Sequence, residues 1–341
     1  MIGTGDIPMT NYLVIPDLYE GSALTIISNK LKETIKKMNN LDVKVIDFNG
    51  GLTLVNDGTL DDPDVFFKHS ICTLNELKNN LKDKDKVLFV DFFQPGLELL
   101  YYYLESSSIK IKIGSLFHGA NFVPHDFFNK FPWMKNFDRG LIDLMEAIYV
   151  SSEAAKRYFP DKEKVKVFEY AFNPREYNCA FNNKKYDVII PHRWSWEKNP
   201  KLYKKIIKDM PEITFAISGF GEFSGDKKLK KLFLEVSSYD NVINLGVKND
   251  KEHKEDLTHA KVVLGTQDLF GYSVREAISS GCIPVCINDF AYPEFLGEKY
   301  LFDDEVGAKE KISSFVKNYP NNYPKIIETK FDDIINNFYE N

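Results

Sequence analysis

Short apolar segments alternate with amphipathic helical segments along almost the whole chain, in two successive series. In the first series, NYLVIPD, DVKVIDF, KVLFVDF and IKIGSLFH have the pattern of buried strands, and SALTIISNKLKETIKKM has the pattern of an amphipathic helix. In the second series, strand-like YDVIIPH, ITFAISG, NVINLG, AKVVLGT and CIPVCIN alternate with helical segments such as NPKLYKKIIKDM and YSVREAISS. This alternation predicts an α/β fold with parallel sheets.

The chain length and one irregular segment predict two domains. A chain of 341 residues corresponds to two domains of ~150 residues. The segment EYAFNPREYNCAFNNKKYD is rich in Asn and aromatic residues without a clear period, and we interpret it as the linker. We therefore expect two Rossmann-like, doubly wound domains over residues 9–175 and 184–318, facing a central cleft that binds a ligand at the carboxyl ends of the strands. The tail, residues 319–341, is predicted to be helical and to pack back on the first domain.

Composition excludes several classes of protein. No stretch of ~18 uncharged apolar residues is present, so we expect no membrane insertion. The amino terminus lacks the pattern of a secretory signal, and Met9 is a candidate natural start. The four cysteines are scattered and have no zinc-site spacing with histidine, which predicts reduced thiols, no bound metal and a cytoplasmic protein. A net charge of −6 argues against a basic surface that binds nucleic acid nonspecifically. It does not exclude a local basic groove.

The first candidate site lies in GTQDLFGYSVREAISSGCIPVCIN, residues 265–288. Asp268 follows a strand and Glu276 lies in the first turns of a helix that begins after Gly271, so both carboxylates can face one ligand. A carboxylate can accept hydrogen bonds from two vicinal hydroxyls, as in a bound ribose, and the amides at the start of a helix form an anion site. The alternative is that Asp268 caps a turn and Glu276 complements the helix dipole.

The second candidate site lies in PHRWSWEKNPKLY, residues 191–203. Arg193 ends a strand, and Lys198 precedes Asn199 and Pro200, which have the pattern of an N-cap and a first helical residue. Two cations at this position can hold a diphosphate and stabilise its charge as it leaves, without a metal ion. The alternative is a solvated basic loop.

Four segments together carry a family resemblance: HRWSWEKNP, SGFGE, NLGV and the Asp268-to-Glu276 segment that ends in GCIPVCINDFAYPE. Over residues 186–300 and in the right order, they resemble a glycosyltransferase of the GT-B fold, from the large retaining family that uses nucleotide sugars. The motif of that family is Glu, seven residues, Glu. Here Asp268, which is one methylene shorter, replaces the first Glu.

The resemblance implies a role for each matching residue. Glu276 would hold the ribose of the donor, Arg193 and Lys198 would hold its diphosphate, and Asp268 would reach its sugar. The resemblance implies no cofactor, since the donor, a UDP- or GDP-sugar, is itself a substrate. The residues that would bind the donor are Gly21, Ser22, Gly219, Gly221, Val247, Phe270, Gly271, Tyr272 and Ser273.

The acceptor is indicated by a further similarity. PHRWSWEKNP and GCIPVCINDFAYPEFLGEKYLF resemble the subgroup that mannosylates queuosine in transfer RNA. This similarity implies a modified base in nucleic acid, either tRNA or hydroxymethylated DNA, as the acceptor. A saccharide or a lipid-linked acceptor is the alternative. A third possibility is a sugar-nucleotide-binding protein without catalysis, which the shortened Asp268 favours. Nothing in the sequence predicts the oligomeric state.

The first domain offers weaker candidates. Gly21 and Ser22 open the first helix, as the glycine loop of the family does, although a serine N-cap explains them equally. His118 ends a strand, where the family places a histidine against the donor sugar, and a hydrogen-bonded structural histidine is the alternative. His125 and Asp126 are candidates on the acceptor side. The aromatic residues that could stack on a base, or else belong to the core or a lid, are Phe122, Phe127, Phe128, Phe131 and Trp133.

The segment GFGEFSG follows a strand and is close to a dinucleotide-binding fingerprint. That fingerprint needs an acidic residue at the end of the next strand. The next strand, NVINLG, supplies Asn244 instead. A dehydrogenase is therefore disfavoured, and Gly219 and Gly221 fit a phosphate-side loop of a sugar nucleotide.

Overall fold

The structure is a computed structural model that describes residues 9–15, 23–38, 41–47, 63–124, 126–218, 226–246 and 248–340. The described residues form two compact units. The first unit contains the described residues up to Ala171 and those from Lys330 onward, and the second contains the described residues of Phe172–Thr329. The chain therefore returns to the first unit at its end.

Strands and helices alternate through both units. The strands are β1 Asn11–Ile15, β2 Val43–Asp47, β3 Lys86–Phe89, β4 Lys112–Leu116, β5 Ala147–Val150, β6 Val165–Val167, β7 Tyr186–Ile190, β8 Phe215–Ser218, β9 Val242–Gly246, β10 Ala260–Gly265, β11 Ile283–Ile287 and β12 Leu301–Phe302. The helices are α1 Ala23–Lys37, α2 Pro63–Asn80, α3 Leu97–Ser106, α4 Met134–Leu144, α5 Glu153–Lys156, α6 Pro200–Lys208, α7 Lys227–Ser237, α8 Asp250–Thr258, α9 Tyr272–Ser279, α10 Tyr292–Phe295, α11 Glu305–Lys317 and α12 Asp332–Tyr339.

Each unit is built on one parallel six-stranded sheet. The first sheet has the order β2-β1-β3-β4-β5-β6, and the second has the order β12-β11-β10-β7-β8-β9. Every pairing is parallel. Central strands such as Val188–Ile190 are fully buried, as expected when helices cover both faces of a parallel sheet. The predicted α/β fold with two parallel sheets is confirmed.

The order of strands reverses once in each sheet, and this reversal decides where a ligand can bind. In the second sheet it lies between β7 and β10, and in the first between β1 and β3. Both orders are those of doubly wound folds, whose ligands bind beyond the carboxyl ends of the strands at the reversal. The loops after β7 and β10 are therefore the expected site of the second unit.

Helix α12 packs on the first sheet through Phe338 and several polar contacts. Gly114 makes room for it, because a Cβ atom on Gly114 would lie 2.5 Å from Cε2 of Phe338. Lys86 and Lys112 donate from their Nζ atoms to the carbonyl oxygens of Tyr339 (2.6 Å) and Phe338 (3.2 Å). Cations at the carboxyl end of a helix also complement its dipole. The hydroxyl of Tyr339 donates to the carbonyl oxygen of Tyr12 at 2.6 Å. In the tail, the α-helix is confined to Asp332–Tyr339.

The first unit should therefore depend on its carboxyl-terminal helix. Phe338 is fully buried, so Phe338→Ala is expected to lower the free energy of unfolding of this unit by about 3–5 kcal/mol through lost burial and the cavity left behind. Leu99→Ala is the control, because Leu99 is 67% exposed in the same unit. Urea denaturation and hydrogen exchange of peptides from β3 and β4 measure the change. Equal losses in the two variants would contradict the packing described here.

Candidate functional site

A buried ion pair joins the two loops that follow β7 and β10. Nζ of Lys198 lies 3.0 Å from Oδ2 of Asp268 and donates to the carbonyl oxygen of Gln267 at 2.8 Å. The side chains of Lys198 and Asp268 are 15% and 18% exposed. Two residues that the sequence analysis assigned to separate parts of the donor are thus in direct contact with each other.

Asp268 also holds the start of α9. Its Oδ1 atom accepts hydrogen bonds from the amides of Phe270 (3.0 Å) and Gly271 (2.8 Å). Burial raises the pKa of Asp268, but the charge of Lys198 and these amide donors outweigh burial and hold the pKa well below its usual value. Asp268 therefore caps the turn before α9, which was the alternative interpretation of this residue. Two of the amides predicted to cradle a phosphate donate to this carboxylate instead.

Gly271 permits the close packing at the start of α9. It adopts φ 74°, in the left-handed region, and a Cβ atom there would lie 2.9 Å from the ring of Phe295. The other donor-binding candidates in this segment, Tyr272 and Ser273, begin the helix. The ring of Tyr272 contacts that of Phe270, with centroids 5.4 Å apart.

Lys198 is held in place by the backbone around it. Asn199 is the N-cap residue of α6 and Pro200 begins the helix, as predicted, but Asn199 adopts φ 51° and its side chain makes no capping hydrogen bond. Asn tolerates this left-handed conformation better than most residues. The hydroxyl of Thr266, just after β10, lies 2.5 Å from the carbonyl oxygen of Lys198. This contact ties the lysine backbone to the end of the neighbouring strand.

Arg193 forms a second ion pair of the site, with Glu197. Nε of Arg193 donates to Oε1 of Glu197 at 3.0 Å, and Nη2 contacts the same oxygen. Burial raises the pKa of Glu197, but the charges of Arg193 and Lys198 outweigh it and lower the pKa below its ordinary value. The Arg193 side chain is 55% exposed. The sequence analysis did not select Glu197, although its position four residues after Arg193 was a usable signal.

Glu276 projects from α9 and has a partner for each carboxylate oxygen. The hydroxyl of Tyr177 donates to its Oε1 atom at 2.6 Å, and Nε2 of His253 lies 3.6 Å from its Oε2 atom. Tyr177 comes from the segment that was interpreted as a linker, and His253 from α8, which packs beside α9. Tyr177 is 99 positions away along the chain. No local sequence pattern pointed to either partner.

The surroundings of Glu276 shift the pKa values of both partners. Burial lowers the pKa of His253, but the hydrogen bond and the charge of Glu276 outweigh burial, and the net shift is upward. Burial and the neighbouring carboxylate raise the pKa of Tyr177. Tyr177 is therefore a stable hydrogen-bond donor, and His253 is the partner whose charge can change near neutral pH.

His192, in the loop after β7, interacts electrostatically with both Lys198 and Asp268 and was also missed. It is 2% exposed, and neither ring nitrogen has a hydrogen-bond partner among the residues that the structure describes. Burial and the charge of Lys198 lower its pKa to about 3. His192 is thus a neutral ring at physiological pH, next to both charges of the pair.

In the first unit, His118 is fixed by the neighbouring strand. Its Nε2 atom lies 2.8 Å from the carbonyl oxygen of Val90, and its ring centroid lies 5.3 Å from that of Tyr170. Burial lowers the pKa of His118 to about 4. The neutral ring must donate from Nε2 to the carbonyl, which leaves Nδ1 as an acceptor. A structural hydrogen bond and a free acceptor atom thus coexist in this residue.

The other first-unit candidates divide between core and surface. Asp126 accepts a hydrogen bond from the amide of Phe128 at 3.0 Å and caps a short 3-10 helix. Phe122 stacks on Phe117 with centroids 5.7 Å apart. Phe131 and Trp133 are 38% and 61% exposed. The candidates that lie outside the described residues are Gly21, Ser22, His125, Gly219, Gly221, Val247 and the side chain of Phe127.

No group of three or more His, Cys, Asp and Glu side chains in the described part of the chain is arranged to hold a metal ion. None of the helices described is both long and apolar enough to cross a membrane.

Comparisons with known proteins show what the second unit is similar to. Residues 178–330 match the family described as glycosyl transferases group 1. The chain is 25% identical over 155 residues to the tRNA-queuosine alpha-mannosyltransferase of Drosophila melanogaster, a match that covers 44% of this chain and 40% of that protein. The chain thus matches less than half the length of this relative.

Solved structures share the fold across most of the chain. The lipopolysaccharide outer core galactosyltransferase WaaB matches with a TM-score of 0.54 and 13% identity over 92% of this chain and 98% of that one. A glycosyltransferase involved in avilamycin A biosynthesis matches with a TM-score of 0.53 and 15% identity over 91% of each chain. These likenesses confirm the predicted GT-B glycosyltransferase fold.

The Lys198–Asp268 pair should stabilise the second unit. Asp268→Ala leaves Lys198 buried without its partner and frees two amides, so we expect a loss of about 3 kcal/mol in the free energy of unfolding. Asp209→Ala is the control, because Asp209 pairs with Lys309 at the surface and its removal should change little.

The effect of Asp268→Ala should also depend on pH. The depressed pKa of Asp268 means that its stabilisation is complete above an unfolded pKa of about 4 and is lost as pH falls through the folded value. The difference between wild type and variant in urea denaturation should therefore shrink on acidification. A difference that stays constant into strong acid would contradict this coupling.

Proposed function

We propose that the protein moves a sugar from a nucleotide-sugar donor to a hydroxyl group of an acceptor, on the premise that residues 178–330 match the family described as glycosyl transferases group 1. The observation that carries the proposal is the position of Arg193 and Lys198 in the loop after β7 and of Glu276 on the helix after β10, the two strands that flank the strand-order reversal of the second sheet. Cations for a diphosphate and a carboxylate for a ribose occur there together.

Lys198 and Arg193 would stabilise the departing diphosphate. An ammonium group has three donors, and the two described bonds of Lys198 go to Gln267 and Asp268, so the third can reach a phosphate oxygen. The guanidinium of Arg193 has five donors and can keep Glu197 while it binds phosphate. Fixed cations that remove charge from a leaving group contribute about 3 kcal/mol each to lowering a barrier. A divalent ion is not required in this scheme.

Glu276 would grip the ribose. Its carboxylate is almost buried, and Tyr177 and His253 hold one oxygen each. Each oxygen can accept a second hydrogen bond, which suits two vicinal hydroxyls. We propose UDP or GDP as the nucleotide and retention of the anomeric configuration, as the family resemblance implies. In the first unit, Nδ1 of His118 is proposed to accept a hydrogen bond from a hydroxyl group of the donor sugar.

We propose a modified base in tRNA as the acceptor. The similarity to a tRNA-queuosine alpha-mannosyltransferase supports this choice, as do the exposed rings of Phe131 and Trp133 in the first unit. Exposed aromatic rings can stack on unpaired bases. The four cysteines are free thiols, as expected in the cytoplasm where such a reaction would take place.

A panel of UDP-, GDP-, ADP- and dTDP-sugars tests the donor. We expect one class to raise the melting temperature strongly, because a ligand at about 100 times its Kd adds about 2.7 kcal/mol to the stability. With that donor, Lys198→Ala is expected to lower turnover by at least about 100-fold without unfolding the protein. Lys208→Ala is the control, since it removes an exposed lysine from the last turn of α6. Near-normal turnover in Lys198→Ala would remove the proposed role.

The acceptor is tested with unfractionated tRNA. We expect its affinity, measured by fluorescence anisotropy, to fall steeply with salt concentration, and radiolabelled sugar to appear in the RNA. Trp133→Ala should weaken binding by about tenfold, because one stacked base contributes about 1–3 kcal/mol. Leu234→Ala, which removes an exposed apolar residue of the second unit, is the control. Transfer to a saccharide but not to RNA would contradict the proposed acceptor.

A further inference from the structure

We propose that His253 and Tyr177 are positioning residues for the donor, and that His253 makes donor affinity depend on pH through Glu276. The inference rests on the proposed function, because it takes Glu276 as the ribose ligand. It adds two residues to the site that neither the family resemblance nor a sequence motif assigned.

The contacts around Glu276 restrict how its carboxylate can turn. Tyr177 donates to Oε1 at 2.6 Å, and His253 approaches Oε2 from another helix at 3.6 Å. These two contacts come from separate elements, so together they fix the plane of the carboxylate. A carboxylate that is already oriented loses less freedom when two ribose hydroxyls bind to it.

Burial makes the His253–Glu276 contact electrostatically strong. The side chains are 20% and 8% exposed, so salt and water screen the pair far less than they would at the surface. Protonated His253 therefore adds a positive charge next to the carboxylate of Glu276. This positive charge attracts the negative diphosphate of a nucleotide sugar and so raises the affinity for the donor.

Other charged or titratable groups also face this pair. Glu276 outweighs the burial that would lower the pKa of His253, and the net shift is upward. His192 stays neutral near physiological pH, because its pKa is lowered to about 3. The groups near His253 and Glu276 are Asp250, Asp256 and Lys254 on α8, Tyr272 on α9, Glu176 and Tyr177 in the segment after Phe172, and His192 in the loop after β7.

The sign of the pH dependence follows from the raised pKa. Below that pKa, His253 is a cation and holds Glu276 in place. As pH rises through it, the charge is lost and donor affinity falls. Because donor and proton binding are linked, a change of one unit in the pKa of His253 on binding corresponds to a tenfold change in affinity.

Calorimetric titration with UDP-glucose and GDP-mannose from about pH 6 to about pH 8.5 tests the inference. Nucleotide sugars are the probes because their diphosphate keeps a constant charge over this range. For wild type we expect the Kd of the bound sugar nucleotide to rise by about tenfold across the range. The His253→Asn variant should bind the sugar nucleotide weakly, with a Kd that does not change with pH. His253→Lys, which stays charged, should bind at the low-pH affinity throughout.

Two more variants separate positioning from folding. Tyr177→Phe should weaken binding at every pH while keeping the slope of the wild type, because it removes a donor that does not titrate in this range. His259→Asn, at the end of the same helix, should leave both affinity and slope unchanged.

The outcomes distinguish this inference from the proposed function. A wild-type slope that persists in His253→Asn and His253→Lys would overturn the inference and leave donor binding intact. If His253→Asn does not fold, a pH profile for His253→Lys that matches the wild type would still overturn it. Failure of the wild type to bind either probe or any other nucleotide sugar would overturn the proposed function itself.

Discussion

Parallel pairing of β7 with β10 is the constraint on which the candidate site depends. The pairing aligns Val188 with Val262, so the carboxyl ends of two strands more than 70 residues apart reach the same edge of the sheet. Parallel strands require long crossover connections, and here these connections contain α6, α7 and α8. The charged residues of the two loops meet only because the strands run in the same direction.

Charge compensation is the second organising feature of the site. Lys198 is paired with Asp268, Arg193 with Glu197, and Glu276 with His253 and Tyr177. A buried charge without a partner is costly, so these pairs let the site keep its charges in the absence of a ligand. A bound donor must therefore share existing partners. The spare donors of Lys198 and the spare acceptor capacity of Glu276 make such sharing possible.

The same pairing involves Asp268, which stands where the family resemblance implies a Glu. The shorter carboxylate reaches both Lys198 and the amides at the start of α9. It therefore links the cation of one loop to the helix that presents Glu276. In this chain the residue is as much a part of the framework of the site as a candidate ligand for the donor sugar.

The sequence by itself determined most strands of both sheets and the segments that surround the site. Apolar residues at every second position, or in an unbroken run, reflect burial on the faces of a sheet. Apolar residues at helical spacing reflect one buried face of a helix. Local patterns therefore suffice to predict strands and helices. Proximity to strand ends and helix starts identified the candidate residues Arg193, Lys198, Asp268 and Glu276. The short edge strands β6 and β12 were not predicted, because two or three residues carry no readable period.

Tertiary structure decided which of these side chains pair and which distant residues complete the site. Tyr177 lay in a segment without periodicity, and His253 in a polar helix, and neither had a local mark of function. Their contacts with Glu276 arise from the packing of α8 and of the segment after Phe172 against α9. Contacts between residues far apart in the chain depend on how whole elements are arranged in space, and the order of amino acids along any one segment does not encode that arrangement.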